Sequence, residues 1–435
     1  MIGYEKYKLT HSLGFEKIPA EWDLKKVKYL FHIGRGRVIS QEELMDNGLY
    51  PVFSSQTQNN GCLGYINTFD FDCDQLTWTT DGANAGTVFI RSGKHNCTNV
   101  CGTLQPITDQ TNLKFSHYAL QYATQFHKRP DTNGAKIMNN EMAEISFALP
   151  AECEQFKIIE YLDHETAKID SLIEKQQQLI QLLKEKRQAV ISHAVTKGLD
   201  PSVKMKDSGV EWLGDVPEHW EVIKMGSCAF MQEGPGLRTW QFKDEGTKVI
   251  CVTNITDKGI DFKKLEKFIS TSEYFDKYQH FTVSMGDILL SSSGNSWGKV
   301  AVYEEDEKVI LNTSTIRLRQ LHNKSISLNF LKFLLLSISV KEQLGLMMTG
   351  SCQPNFGPTH LKEVRVAIPE TNEQIVIIEN IENNINKHDL LIEKAELAIQ
   401  LLQERRTALI SAAVTGKIDV RNWQNPTEAK MECSA

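Results

Sequence analysis

Three polar loops carry the side chains that could do chemistry in this sequence. They read SSQTQNNG from Ser54, TTDGANAG from Thr79 and SSSGNSWGK from Ser291. Asn and Gln suit the edge of adenine, and Ser and Thr can bond either a base or a phosphate. The same residue types also build ordinary surface turns, and for any single residue this alternative stays open.

Single cations near these loops could hold a phosphate backbone. With them, the candidate nucleic-acid contacts are Arg35, Arg37, Ser54, Ser55, Gln56, Thr57, Asn59, Asn60, Thr79, Thr80, Asp81, Asn84, Arg91 and Lys94 in the first half of the chain, and Arg238, Thr239, Ser291, Ser292, Ser293, Asn295, Trp297, Lys299, Asn312 and Arg317 in the second.

No catalytic or metal-binding pattern accompanies these loops. GNSWGKV from Gly294 resembles a phosphate-binding loop, but it is one residue short and Val300 stands where a Ser or Thr would hold Mg²⁺. Cys97 and Cys101 lack a second ligand pair, so we expect no zinc site. The histidines show no HExxH spacing. We therefore expect a protein that recognises a ligand and leaves the chemistry to partners.

Length and composition restrict the class of protein. The 435 residues are too many for one ordinary core and predict at least two domains. The net charge of −7 is unusual for an isolated DNA-binding domain, which is more often basic. Nine cysteines without a CxxC pair favour reduced thiols. Because the sequence has neither an apolar signal region nor a run of about 18 apolar residues, we expect a cytoplasmic protein outside the membrane.

A repeat organises the chain. LLKEKRQAVISHAVTKGLD begins at Leu182, and LLQERRTALISAAVTGKID begins at Leu401, 219 positions later. At the same offset, Pro150 and the pair Glu154-Gln155 match Pro369 and Glu373-Gln374. Neither segment has an internal Pro or Gly, so each predicts one helix of roughly 40–45 residues, about 60–68 Å long.

Both predicted helices carry an apolar stripe on a rough heptad. Its members are Ile169, Leu172, Leu179, Leu183 and Val190 in the first helix, and Leu391, Ala395, Ala398, Leu402 and Leu409 in the second. A helix of this length cannot bury a single stripe alone. We therefore predict a coiled coil between the two copies.

The regions before the helices also begin alike. Pro19 and Trp22 match Pro217 and Trp220, and each region is rich in short β-like runs interrupted by Gly, Asn and Asp. Glycines near the polar loops keep their places, whereas the polar residues around them differ. Two related modules that read different ligands would look like this; drift after an old duplication is the alternative.

The predicted fold class is α+β, with two β-rich domains, two long helices and a pseudo-two-fold repeat. The predicted boundaries are a recognition domain at 1–150, a helix at 151–196, a linker at 197–213, a second recognition domain at 214–369, a helix at 370–413 and a tail at 414–435.

This layout resembles the specificity (S) subunit of type I restriction-modification systems across essentially the whole chain. The resemblance rests on the Pro and Trp that open each module, on EQ followed by II at the start of each helix, and on the ISxAVT-like helix ends. The stretch KDSGVEWLGDVPEHW between the halves is also typical of the family. Together these motifs are specific, and any one alone is weak.

The resemblance implies that each domain reads one half of a split site in double-stranded DNA. It implies that the helices pack antiparallel, set the distance between the halves and dock two methyltransferase (M) subunits. The M subunits would supply S-adenosylmethionine and adenine methylation. Restriction (R) subunits would add cleavage with ATP and Mg²⁺, and this chain itself would bind no cofactor. The M subunits would also complete a positively charged cleft, which would offset the acidic charge of this chain.

Two other functions remain open from the sequence. The chain could be an orphan specificity subunit that supports methylation alone. It could also be a scaffold that spaces two protein-binding modules and does not bind DNA. An enzyme would need a catalytic set, which we do not find.

Overall fold

The computed structural model describes residues 3–108, 111–132, 134–264, 266–321, 326–348 and 354–426. The chain forms two compact units, which are described separately below. Unit 1 comprises residues 1–176 and 397–435, and unit 2 comprises residues 177–396. Each unit therefore holds one β-rich module, the first half of the long helix that follows it and the second half of the other long helix.

The described α-helices are α1 Leu113–Ala123, α2 Asn139–Glu144, α3 Glu152–Lys197, α4 Thr271–Glu273, α5 Leu328–Leu336, α6 Ile338–Met347, α7 Pro358–Glu363 and α8 Thr371–Val414. The two long helices have 46 and 44 residues, and each lies within one residue of its predicted range. Their sequences are rich in Ala, Leu, Glu, Gln and Lys, which favour helix over other backbone conformations.

The repeated Glu-Gln pair fixes the first turn of each long helix. The Gln155 side-chain amide donates to the Pro150 carbonyl at 2.9 Å, and Gln374 donates to the Pro369 carbonyl at 3.0 Å. Glu373 accepts the Trp220 indole N–H at 3.1 Å, and Glu154 accepts the Tyr4 hydroxyl at 2.5 Å. The motif thus ties each helix start to its own module.

The module of unit 1 contains two four-stranded sheets. The first sheet is antiparallel, and its strand order is Val88–Arg91, Gln75–Thr79, Cys101–Pro106, Phe31–Arg35. The second has the order Cys62–Ile66, Tyr50–Phe53, Lys94–Cys97, Phe71–Asp72, and its middle pair is parallel.

The module of unit 2 repeats this topology and adds one edge strand, Phe242–Lys243, to the second sheet. Its first sheet has the order Val300–Val302, Ile288–Ser291, Thr315–Gln320, Ala229–Glu233. Its second has the order Phe242–Lys243, Phe268–Ile269, Thr247–Ile250, Val309–Leu311, Thr282–Val283, again with one parallel pair. The predicted fold class, a duplicated β-rich module with long helices, is confirmed.

Shorter antiparallel pairs complete both units. They are Tyr7–Leu9 with Lys17–Pro19, Asp23–Lys26 with Ser146–Leu149, Met205–Asp207 with Asp215–Pro217, Glu221–Lys224 with Arg365–Ile368, Ile255–Thr256 with Gly259–Ile260, and Arg129–Asp131 with Gly134–Lys136, which also pairs with Asp81–Gly82. The range 197–213, predicted as a linker, contains one of these strands and contributes to the core of unit 2 through Leu213.

The repeated helix ends are buried in the modules. Ile191, Ala194 and Val195 of α3 share one core with Trp220. Ile410, Ala413 and Val414 of α8 share the other core with Trp22. The apolar residues that the two helix ends share therefore face the inside of each unit.

Antiparallel contacts join the helix halves within each unit. Asp170 of α3 lies 3.0 Å from Arg406 of α8 in unit 1, and Arg187 lies 3.4 Å from Asp389 in unit 2. The two ion pairs occupy the same repeat positions with the helices exchanged.

The apolar stripe is only partly buried. Ile169, Leu183 and Ala395 are buried, whereas Leu172, Leu179 and Leu391 are 42–46% exposed. The helices therefore bury part of the predicted stripe and leave several leucines on their surface.

Replacing Ile191 by Ala should destabilise unit 2, because its side chain is buried against the core that contains Trp220. The expected loss in the free energy of unfolding is about 2–5 kcal/mol. Urea unfolding, monitored by the hydrogen exchange of the backbone amides of unit 2, measures this loss of stability. The matched control is Leu182→Ala in the same helix, because Leu182 is 62% exposed; its effect should stay within about 0.5 kcal/mol. Equal stability of the two variants would contradict the packing role of the helix end.

Candidate nucleic-acid interface

Hydrogen bonds bring the polar loops of unit 1 together. Asn84 donates to the Thr57 hydroxyl at 3.3 Å, which joins the loop after Gln75–Thr79 to the loop that begins at Ser54. Thr98 donates to the Ser54 hydroxyl at 3.2 Å, so the turn between the two sheets joins the same surface. Residues that are far apart in the sequence are thus joined in one polar cluster, in which Thr57 and Asn84 are exposed and Thr98 is buried.

Positive backbone φ angles shape the loop that starts at Ser54. Asn59 and Asn60 have φ values of 49° and 52°, and Gly61 follows at 77°. Asn tolerates this left-handed region better than most residues, and Gly adopts it freely. The Gln56 side chain donates to the Cys62 carbonyl and closes the loop. This backbone presents Thr57, Asn59 and Asn60 to solvent.

Arg91 is only 2% exposed and holds this loop through a hydrogen bond to the loop backbone. Its guanidinium carbon lies 3.6 Å from the ring centroid of Phe53, and the group donates to the Asn60 carbonyl at 2.8 Å and to Thr77 at 3.1 Å. Burial lowers the pKa of Arg91 to about 10, so the group stays charged at neutral pH. The proposed phosphate contact at Arg91 is therefore corrected to an internal role.

The other predicted cations of unit 1 differ in availability. Arg35 is exposed and donates only weakly, to Thr80 at 3.3 Å and to the Met138 sulfur at 3.7 Å. Arg37 lies 2.8 Å from Glu43 and 3.2 Å from Asp70, and its hydrogen bond with Glu43 raises its pKa. Lys94 lies 4.6 Å from the ring centroid of Phe69. Arg35 is the best placed of these three for an outside ligand.

A hairpin that we did not predict as part of the site extends the surface of unit 1. The strand Gly134–Lys136 pairs with Asp81–Gly82 and with Arg129–Asp131. The Lys136 ammonium lies 2.6 Å from Asp131 and 3.5 Å from Asp81. The sequence signal for this hairpin is the short motif DTNG from Asp131, because Asn followed by Gly favours a tight turn between strands.

Four segments converge on the matching surface of unit 2. The Ser292 amide donates to the Ser314 carbonyl at 2.9 Å, and the Phe356 amide donates to the Ser292 carbonyl at 3.1 Å. The Thr313 amide donates to the Pro235 carbonyl at 3.0 Å. The segment around Phe356 was missed, because its contact with Ser292 spans more than 60 residues of chain.

The predicted residues of unit 2 divide by burial. Ser291 and Ser292 are fully buried, and Trp297 packs edge-on against Phe356 at 6.4 Å between ring centroids. Lys299 lies 3.8 Å from Asp257, and Asn312 donates to the Cys251 sulfur at 3.8 Å.

Arg317 is the second buried arginine among the predicted contacts, at 3% exposure. It donates to the carbonyls of Thr282 and His280 and to Gln232, and burial lowers its pKa. The proposed phosphate contact at Arg317 is therefore also corrected to an internal role.

Over both units, the predicted contacts fall into three groups. The exposed members are Arg35, Arg37, Thr57, Asn59, Asn60, Asn84, Lys94, Arg238, Thr239 and Asn295. The half-buried members are Ser54, Ser55, Gln56, Asp81, Ser293, Trp297, Lys299 and Asn312. The buried members are Thr79, Thr80, Arg91, Ser291, Ser292 and Arg317.

The repeat seen in the two modules is also what a family profile detects. The profile of the type I restriction modification DNA specificity domain matches residues 19–182 and again residues 217–400. The chain belongs to this family.

Full-length and partial relatives agree with this assignment to the type I specificity family. The chain is similar to the specificity subunit of the type I restriction enzyme MjaVIII of Methanocaldococcus jannaschii, with 25% identity over 96% of this chain and 97% of that protein. It is also similar to the specificity subunit of the type I restriction enzyme MpnII of Mycoplasma pneumoniae, with 36% identity over 32% of this chain and 42% of that protein.

The fold is similar to that of a chain from a structure of a type I R-M system. That match has a TM-score of 0.67 at 11% identity and covers 92% of this chain and 99% of the other. At this level of identity the likeness concerns the fold.

The described residues of this chain were also compared with the requirements for a metal site and for a membrane-spanning helix. No group of three or more His, Cys, Asp or Glu is placed to hold a metal ion within the described ranges. Among the described helices, none combines the length and the apolar character that crossing a membrane requires.

Replacing Arg91 by Lys should destabilise unit 1. Lys keeps the charge, but it cannot bond Thr77 and Asn60 together while stacking on Phe53. The expected loss in the free energy of unfolding is about 1.5–3 kcal/mol, the range for hydrogen bonds to charged groups. Urea unfolding measures it, with Arg35→Lys as the exposed control that should be neutral. If Arg91→Lys were as stable as the parent, the supporting role of Arg91 would be wrong.

Proposed function

We propose that this chain is the DNA sequence-recognition subunit of a type I restriction-modification complex, in which each module reads one half of a bipartite site. The observation that carries the proposal is the pair of modules whose first sheets share one strand order while their polar loops differ. A common scaffold with two different sets of loops is suited to reading two different DNA sequences, because loops carry specificity on a fixed scaffold.

The exposed loop residues are the proposed base contacts. In unit 1 these are Asn84, Thr57 and the Asn59-Asn60 pair, and in unit 2 they are Asn295 and Thr239. Amide side chains can bond the major-groove edge of adenine at two points. The buried threonines and serines beneath them support the loops and have no direct part in this proposal. Arg35 and Arg238 are the proposed phosphate contacts, since both are exposed.

The chemistry would lie on partner subunits. We assign S-adenosylmethionine to two methyltransferase subunits and ATP with Mg²⁺ to restriction subunits, and this chain would be non-catalytic. Loops built mainly from amides and hydroxyls support recognition, whereas catalysis would need a nucleophile with a base or a metal beside it.

Exposed leucines on the long helices are the proposed docking points for the methyltransferase subunits. Unit 1 exposes Leu172 and Leu401 beside the Asp170–Arg406 ion pair. Unit 2 exposes Leu391 and Leu182, which occupy the same repeat positions. Two equivalent apolar surfaces with a charged rim suit two copies of one partner.

Matched loop variants test the reading of DNA. Asn84→Ala should weaken discrimination in one half-site only, and Asn295→Ala should weaken it in the other. A base contact of this kind contributes about 1–3 kcal/mol of discrimination. The measurement is the adenine methylome of the host after gene deletion and complementation with each variant.

The parent gene is the control and should restore one split motif. Relaxed recognition in both halves by a single variant would contradict the division of labour between the modules. A methylome that deletion leaves unchanged would count against the proposed function itself.

Charged substitutions on the helices test the docking of methyltransferase subunits. Leu172→Glu with Leu401→Glu should remove one of two methyltransferase subunits, because burying a carboxylate in an apolar contact is costly. Leu391→Glu with Leu182→Glu is the matched pair in unit 2 and should remove the other. Native mass spectrometry of the co-expressed complex gives the stoichiometry, and unchanged melting curves show intact folding. If both double variants still bound two methyltransferase subunits per copy of this chain, the proposed docking surface would be wrong.

A further inference from the structure

Unit 2 contains an open groove between the last turns of α3 and the start of α8. Its volume is about 340 Å³. The buried Ala194 and the half-buried Val190 form the floor, the exposed Ala189 and Leu199 line the sides, and Lys186 and Asn380 stand at the rim. Both rim residues are exposed. An apolar floor of this kind with polar groups at its edge is typical of a binding groove.

The repeat shows what occupies the corresponding place in unit 1. Asn380 corresponds to Tyr161, at the offset of 219 that relates the helices. The Trp423 indole lies edge-on against Tyr161 at 5.5 Å between ring centroids and 5.3 Å from His164. Leu409 and Ile418, which correspond to Val190 and Leu199, pack against the same core as Trp423. An aromatic ring therefore covers this place in unit 1.

Unit 2 supplies no equivalent ring from the described part of its chain. The position that corresponds to Trp423 is Lys204, whose ammonium lies 2.9 Å from Glu218. Trp212, the tryptophan nearest in sequence, is not among the residues that line the groove. Trp423 packs against the core of unit 1. In a second copy of this chain the same indole would be packed in the same way, so it would not be free to enter the groove of unit 2.

We propose that the groove of unit 2 binds an aromatic side chain of a methyltransferase subunit. This inference rests on the proposed function, which brings that partner to the helices. The small floor side chains leave room for a planar ring, and the Lys186 ammonium can lie over its face. The amide oxygen of Asn380 can accept an indole N–H or a tyrosine hydroxyl. The two docking sites would then differ, since unit 1 fills this place with its own residue.

A tryptophan introduced at a residue that lines the groove should fill the groove and block the partner. Ala189→Trp, in the full chain co-expressed with the methyltransferase subunit, should lower affinity for one of the two subunits at least tenfold. The 2:1 complex should become 1:1 in native mass spectrometry at low micromolar concentration. Lys184→Trp is the matched control, because Lys184 is exposed on the same helix and does not line the groove.

The outcomes separate this inference from the proposed function. If the parent chain binds no methyltransferase subunit, the proposed function fails. If the parent forms a 2:1 complex and Ala189→Trp keeps both subunits at parental affinity, only the groove inference fails. A loss with Lys184→Trp equal to that with Ala189→Trp would also overturn it.

A photo-crosslink identifies the occupant without filling the groove. His193 lines the groove and is exposed, so it can be replaced by photo-leucine, whose small aliphatic diazirine side chain leaves the groove open. Illumination of the 2:1 complex should join this position to a methyltransferase peptide that contains Trp, Tyr or Phe. The absence of a crosslink to the methyltransferase subunit, or a crosslink to the C-terminal tail of this chain, would overturn the inference.

Discussion

The burial of each long helix end within a β-rich module is the interaction on which the rest of the structure depends. Three apolar residues of α3, Ile191, Ala194 and Val195, lie in one core with Trp220, and their repeats in α8 lie in one core with Trp22. Unit 2 is one contiguous segment, residues 177–396, whereas unit 1 forms only when residues 397–435 pack with residues 1–176. Contacts between residues far apart in the sequence therefore hold unit 1 together, which favours slow folding of that unit.

This burial of the helix ends explains which residues are identical in the two halves of the chain. The residues that match across the two halves are those that fix the helix ends and the start of each module, such as Gln155 with Gln374. The loop side chains lie outside these contacts and can differ without loss of the frame. Selection for two recognition surfaces on one scaffold therefore leaves a repeat in the helices and divergence in the loops.

The sequence predicted the architecture better than it predicted the surface. Helix limits follow from Pro150 and Pro369 and from the absence of internal Pro and Gly, which are local signals. The burial of Arg91 and Arg317 depends on which strands pair, and no local pattern marks it. The segment at Phe356 reaches the loop at Ser292 across more than 60 residues, so only the folded chain brings them together.

The two modules also differ beneath their loops. Arg91 of unit 1 occupies the strand position of Tyr303 in unit 2, while Arg317 and Asp287 of unit 2 occupy those of Thr103 and Gln75. Each buried arginine bonds the backbone of its own module, at Asn60 in one case and at His280 in the other. A recognition loop moved without its supporting arginine would leave a buried cation or a carbonyl without a partner. The whole module, and not the loop, is therefore the unit that can be exchanged between chains.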